Sequence, residues 1–226
     1  MSDSILQVNL IKNKGGSATG ITIDNSNADV TMNRPLTATL SSTSTVPASI
    51  GGNEILLETY TANNSVGFKV IEFTGSYNIY RLRMNYLRPS SNNSELKVEL
   101  GASSSSFSSA SGDYRFTGHY GHYNGSSFSG GQGHIVNSSF VHYDGVGNGD
   151  SEGCHLDLLI VSPTDATIAT SGYGTGYVYK HDNYLQAFSI ATIAKYNPRD
   201  DSHLHIFFNQ GNLGKGKILL YGVKDA

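Results

Sequence analysis

The stretch Tyr77–Leu87, YNIYRLRMNYL, alternates with a period of two: Tyr80, Leu82, Met84 and Tyr86 share one face, and Arg81, Arg83 and Asn85 the other. A helix would need apolar residues spaced near 3.6, so this stretch is a strand with one face in a core, ended by Pro89. Leu96, Val98 and Leu100 alternate in the same way with Glu95, Lys97 and Glu99, and the opposed signs of Arg81/Arg83 and Glu95/Glu99 suit antiparallel neighbours in a meander. Upstream, Glu54–Thr61 and Val66–Phe73 predict a hairpin about Ala62-Asn63-Asn64-Ser65. Downstream strands are expected at His134–Tyr143, Cys154–Ser162, Gly176–Lys180, Ala187–Tyr196, His203–Phe208 and Lys217–Lys224. Leu156–Val161 is apolar on both faces, as in a central strand covered on each side. Ile218–Val223 should pair with an early strand near Ile55–Tyr60 and so close the sheet. About ten strands without a helical period imply an all-β, antiparallel sandwich of jelly-roll type.

The N-terminal part has a different character. In Gly20–Leu36, GITIDNSNADVTMNRPL, two very short strands flank the Asx-rich turn Asn25–Asp29. So few apolar residues cannot offset an ordering cost of roughly 1–2 kcal/mol per residue. Ser4–Lys14 reads as an extended arm that ends at Gly15-Gly16. Ile5, Val8, Ile21, Ile23 and Val30 are therefore expected to be buried between copies of the chain related by a closed rotation, a homotrimer. The expected organisation is an oligomerising arm at 1–36, a Ser/Thr-rich linker at 37–52 and a β-sandwich head at 53–226.

Composition narrows the function classes. With 15 Lys and Arg against 18 Asp and Glu, the net charge of -3 supplies no basic field for a phosphate backbone, so nucleic acid is not an expected partner. Cys154 is the one cysteine, which rules out an intrachain disulfide. No cationic region precedes an apolar run at the N-terminus, and the longest strongly apolar stretch, Leu158–Val161, is too short to span a bilayer. The expectation is synthesis in a cytoplasm without a signal peptide or membrane insertion, and release by lysis. The chain has 26 Gly and 14 Tyr but no Trp, a balance that favours turn-rich β structure.

Tyr, His, Gly and Ser concentrate between Gly112 and Asn148 and again at Tyr173-Gly-Thr-Gly-Tyr177. Read as loops, these segments offer Tyr114, His119, Tyr120, His122, Tyr123, Tyr143, Tyr173 and Tyr177 for contact with a receptor, because a tyrosine presents a flat apolar face with a polar tip. The alternative is that these side chains form the edge of a core. His119 and His122 lack a third ligand at metal-site spacing, so no metal and no cofactor are expected. Catalytic residues are not expected either. Cys154 and His155, adjacent in a strand, point to opposite faces, and Asp150, Glu152 and Asp157 have no acid partner across a cleft. Gly172–Gly176 lacks the strand-turn-helix context and the lysine of a phosphate loop.

Two sets of residues carry a family resemblance. The first is Val8-Asn9-x-Ile11, Gly15-Gly16, Gly20-Ile-Thr-Ile-Asp24, Ser26, Val30-Thr31 and Pro35-Leu36. The second is Tyr77-x-x-Tyr80-Arg-Leu-Arg-Met, Glu95–Gly101, Ser103–Ser109 leading to Tyr114, and Asn212–Lys224. In this order they resemble the N-terminal segment and C-terminal β domain of bacteriophage tail-fibre and related virion proteins, those of cyanophages especially. The resemblance implies a non-enzymatic virion protein that oligomerises through its arm, contacts other virion proteins and presents its head to a host-surface glycan or protein. A purely structural role, as capsid decoration or a tail or baseplate fitting, and a cellular lectin-like module are the alternatives. A depolymerase would need a long repetitive β-helix, and no such repeat occurs.

Overall fold

The period-two stretch around Tyr80 lies in an 11-residue strand at the middle of a broad antiparallel sheet. The computed structural model describes residues 53–123, 127–137, 139–182, 184–194 and 200–224. The expected arm with Ile5, Val8, Ile21, Ile23 and Val30, and the linker at 37–52, lie outside the described residues. In chain order the strands are β1 (Glu54–Ala62), β2 (Phe68–Glu72), β3 (Ile79–Pro89), β4 (Ser94–Ser103), β5 (Ser106–Phe107), β6 (Tyr114–Tyr123) and β7 (Phe128–Asn137). They continue as β8 (Val141–Val146), β9 (Gly153–Val161), β10 (Ser171–Tyr179), β11 (Leu185–Ala194), β12 (His203–Phe208) and β13 (Leu213–Val223). No helix occurs among the described residues.

Eight strands form one sheet in the order β1-β13-β3-β9-β10-β11-β6-β7, and a smaller sheet runs β2-β12-β4, with β5 and β8 on the far edge of β4. Every pairing is antiparallel. One core joins the two sheets, with Tyr80, Leu82, Met84, Leu158 and Ile160 from the larger and Leu96, Val98, Leu204 and Ile206 from the smaller. The terminal strand pairs with the first as expected, Ile55 opposite Gly222 and Tyr60 opposite Ile218.

Several expectations need correction. β1 and β2 are not a hairpin: β1 pairs with β13 and β2 with β12, so the turn at Asn63–Ser65 carries the chain from one sheet to the other. β3 and β4 also belong to different sheets, and no meander forms. Arg81 and Arg83 pair with Glu54 and Asp157, whereas Glu95 pairs with Lys97 and His142, and Glu99 with His205. Charge alternation revealed the outward face of each strand, but not which strand lay beside it. The single strand expected at His134–Tyr143 is two, β7 in the larger sheet and β8 in the smaller. The outer face of β9 is half-exposed rather than covered.

The face assignment within β3 breaks at Tyr86. Its φ of 55° shifts the register between Met84 and Leu87, so Leu87, not Tyr86, is the next core residue. Across the bulge stands Gly216 at φ 117°, where an added Cβ would lie 2.4 Å from the Tyr86 carbonyl oxygen.

Candidate functional site

The expected contact residues separate into three settings, and the Gly/Tyr segments that carry them are strands rather than loops. Tyr114 to Tyr123 is β6, and Tyr173 to Tyr177 lies within β10. Glycine was misleading here because in β10 it alternates: Gly172, Gly174 and Gly176 face inward, and Tyr173, Thr175 and Tyr177 outward. An added Cβ at Gly172 would lie 2.9 Å from the Phe140 ring, and one at Gly176 would lie 2.5 Å from the Phe188 ring. These glycines let core aromatics lie against the backbone of the strand.

Tyr114 and Tyr143 belong to the core and are not available for contact. Tyr114 is fully buried. Its hydroxyl accepts from Leu100 N at 2.8 Å, donates to Ser108 O at 2.9 Å, and its ring packs edge-on against Phe140 at 5.9 Å. Tyr143 stacks on Phe188 with ring centroids 4.0 Å apart, and burial, then the neighbouring Cys154, push its hydroxyl pKa well up.

Tyr120 and His122 lie on the inward side of β6, where Tyr120 is still partly exposed. Register puts Tyr120 beside the buried Phe188 of β11. Tyr120 and His122 stack at 6.0 Å, His122 meets Tyr184 edge-on at 5.9 Å, and Nε2 of His122 contacts the Ser129 hydroxyl. Next to them a hollow of about 160 Å3 is lined by Phe116, Tyr120, His142, Tyr143 and Phe188. Burial lowers the pKa of His142, more than Glu95 at 3.5 Å raises it.

His119, Tyr123, Tyr173 and Tyr177 face the other way, onto the outer side of the eight-stranded sheet, and the register arranges them in rows. Arg83, Asp157, Thr175, Ser189 and His119 stand directly opposite one another across β3, β9, β10, β11 and β6. Two residues along the strands on one side, Tyr173 stands beside Leu159 and Arg81. On the other side Tyr177 stacks on His155 at 4.3 Å, with Tyr86 edge-on to the same imidazole at 5.9 Å. The result is a polar floor between a bank that carries Tyr173 and Leu159 and one that carries Tyr177, His155 and Tyr86. Its banks are about 13 Å apart, four residues along β10, and its floor is about 19 Å long, four strand spacings. A hollow of about 320 Å3 sits in this trough against Arg81, Asp157, Leu159, Tyr173, Thr175 and Ser189.

An ion cluster stands at one end of the trough. Arg81 Nε and Nη2 donate to the two Asp157 oxygens at 2.5 and 2.6 Å, Arg81 also pairs with Glu54, and Arg83 Nε donates to Asp157 at 3.3 Å. Burial pushes the Asp157 carboxyl up, but hydrogen bonds and charge from Arg81 and Arg83 outweigh it, and the net shift is downward. The same hydrogen bond raises Arg81 further above its already high value. His155 is lowered by burial. Arg81, Asp157, Thr175 and Ser189 were not singled out as site residues from the sequence. The Arg81–Asp157 contact spans 76 positions and leaves no local signal.

The remaining chemical candidates stay apart. His119 and His122 lie on opposite faces of β6 and cannot chelate one ion. Among the described residues no group of three or more His, Cys, Asp or Glu side chains could hold a metal. Cys154 faces the core, donating to Leu87 O at 3.2 Å, while His155 faces outward against Tyr177. Asp150 is exposed beside Arg88, Glu152 accepts from Gly149 N, and Asp157 belongs to the outer cluster. No protein-family model, curated protein or solved structure matches this chain.

Proposed function

We propose that this chain is a non-enzymatic virion protein of tail-fibre type, trimeric through residues 1–36, whose β head attaches the particle to its host cell. The observation that carries the binding role is the outer face of the eight-stranded sheet. Tyr123, Tyr173 and Tyr177 are 42–58% exposed there, on hydrogen-bonded strands, and no other described element covers them. Large aromatics normally seek cover, so a cluster of them held open on a rigid sheet fits a recognition surface. The resemblance at both ends of the chain supports the virion assignment and contact with other virion proteins. Four strands, β1-β13-β3-β9, set against β2-β12-β4 and β8 support the jelly-roll reading, with the other strands as additions.

The test uses the labelled full chain, mixed with cells of the bacterium that the virus infects and pelleted, alongside gold-labelled antibody on virions. Retention on cells and label on fibres are expected. Label on virions without retention on cells would replace attachment by the structural-fitting role, and absence of label would remove the virion assignment. Asp at both Ile21 and Ile23 of the full chain should turn the sedimenting trimer into a monomer. An unchanged sedimentation coefficient would refute the arm.

A further inference from the structure

We infer that the trough on the outer face of the eight-stranded sheet is a binding site for a neutral saccharide chain laid across the strands. This inference rests on the host-attachment reading and gives it a ligand class.

Shape and chemistry agree on this class. The two banks present flat faces, Tyr173 on one side and the Tyr177–His155 stack on the other, against which the C–H faces of sugar rings can pack. Between them the floor is low, because Thr175 and Ser189 are small and Ala187 and Ala191 flank Ser189 on the same face of β11. The floor is about 19 Å long, an oligosaccharide-sized run, and it is open to solvent along its length.

The floor also has hydrogen-bonding capacity to spare. Asp157 accepts three hydrogen bonds from Arg81 and Arg83. A carboxylate offers about four acceptor sites, so one remains, and the side chain is 37% exposed toward the trough. Thr175 and Ser189 add hydroxyls that both donate and accept. Arg81 commits three of its five N–H donors to Asp157 and Glu54, and its paired hydrogen bonds to both Asp157 oxygens make it the positioning residue for that carboxylate.

Charge selects within the saccharides. Arg81 and Arg83 are matched by Glu54 and Asp157, so this end of the trough projects no net field toward a polyanion. A neutral polyhydroxylated chain loses nothing in such a site. An acidic polysaccharide would face the Asp157 carboxylate, and the guanidiniums beside it are already paired with Glu54 and Asp157.

The experiment passes the full chain over immobilised mannan, galactan and β-1,4-glucan, with heparin as the polyanion. The protein has no Trp, so a change in its tyrosine emission on adding oligosaccharides of the retained polymer that is lost in Tyr173→Ala reports contact at that ring. At least one neutral polymer should retain the chain, and heparin should not. Tyr173→Ala, an exposed position, should weaken retention about tenfold at unchanged melting temperature, as truncation of an interface aromatic does. Ser189→Phe, which fills the floor, should abolish it. Retention by no neutral polymer, retention by heparin alone, or retention indifferent to Tyr173→Ala and Ser189→Phe would overturn the site. A change of oligomeric state in Tyr173→Ala would also overturn it, by showing the face to be an interface between copies. Cells treated with periodate separate the two readings. Undiminished binding to oxidised cells keeps host attachment and removes the saccharide, whereas neutral-polymer retention without cell binding does the reverse.

Discussion

Replacing Tyr114 by Phe removes one oxygen atom from a fully buried position. That hydroxyl occupies the place a neighbouring strand would take: Leu100 N donates to it at 2.8 Å, and it donates to Ser108 O at 2.9 Å. Ser108 N in turn donates to Leu100 O at 2.9 Å, so the side chain completes the pairing of β4 where β5 ends. Leu100 is fully buried, and without the hydroxyl its N–H has no water to turn to. An orphaned buried donor costs about 1–3 kcal/mol; the half-buried Ser108 carbonyl adds little. The expected destabilisation is about 2 kcal/mol, or a fall of about 4–8 °C in melting temperature for a domain of this size. Urea unfolding followed by tyrosine emission should show a lower midpoint with an unchanged slope. Cell and polysaccharide binding of the folded variant should equal that of the native chain. A loss below about 0.5 kcal/mol, well under the cost of an orphaned donor, would refute the buried role. Lost binding at native stability would return Tyr114 to the contact surface.

Gly176→Ala should cost about 1–3 kcal/mol, because the new methyl falls 2.5 Å from the Phe188 ring and 2.2 Å from the His155 carbonyl; a melting temperature at or above native would contradict that packing. Burial lowers the folded-state pKa of His142 and His155 below 6.5, so stability present above pH 6.5 should be progressively lost as pH falls through their folded-state values. Asp157, also lowered, keeps its contribution to a more acid range and loses it below its usual 3.8. Unfolding midpoints that rise from pH 7.5 to pH 5 would reverse the sign. The Cys154 thiol, buried and pushed up to about 12, should resist alkylation at pH 8 until the protein unfolds, and Cys154→Ala should cost about 1 kcal/mol. Rapid labelling of the folded chain would contradict its burial.

The all-β class was legible because period-two alternation and strand-length apolar runs are local signals, and the expected closure of the last strand on the first is found as β1 against β13. Sheet membership was not. Which strand receives Arg81 depends on long-range pairing, and the sequence offered Glu95 and Glu99 as plausibly as Glu54 and Asp157. A single positive φ at Tyr86 was enough to move the core phase of β3 to Leu87. The candidate site was half legible. Tyr173 and Tyr177 were recognised as exposed aromatics, but the glycines between them were read as loop punctuation. Alternate glycines facing Phe140 and Phe188 make a strand, and only the packed core reveals that purpose. The polar floor of Thr175 and Ser189 carried no sequence signal, because register alone brings those residues beside Asp157.

Cell retention of a Tyr173→Ala, Tyr177→Ala double variant tests the central claim most directly, since both side chains are exposed on the outer face and neither supports the core. The full native chain should pellet with host cells. The variant should be retained severalfold less at an unchanged sedimentation coefficient and melting temperature, the loss expected when two interface aromatics are truncated. Equal retention of the two proteins, with the fold intact, would contradict recognition through this face.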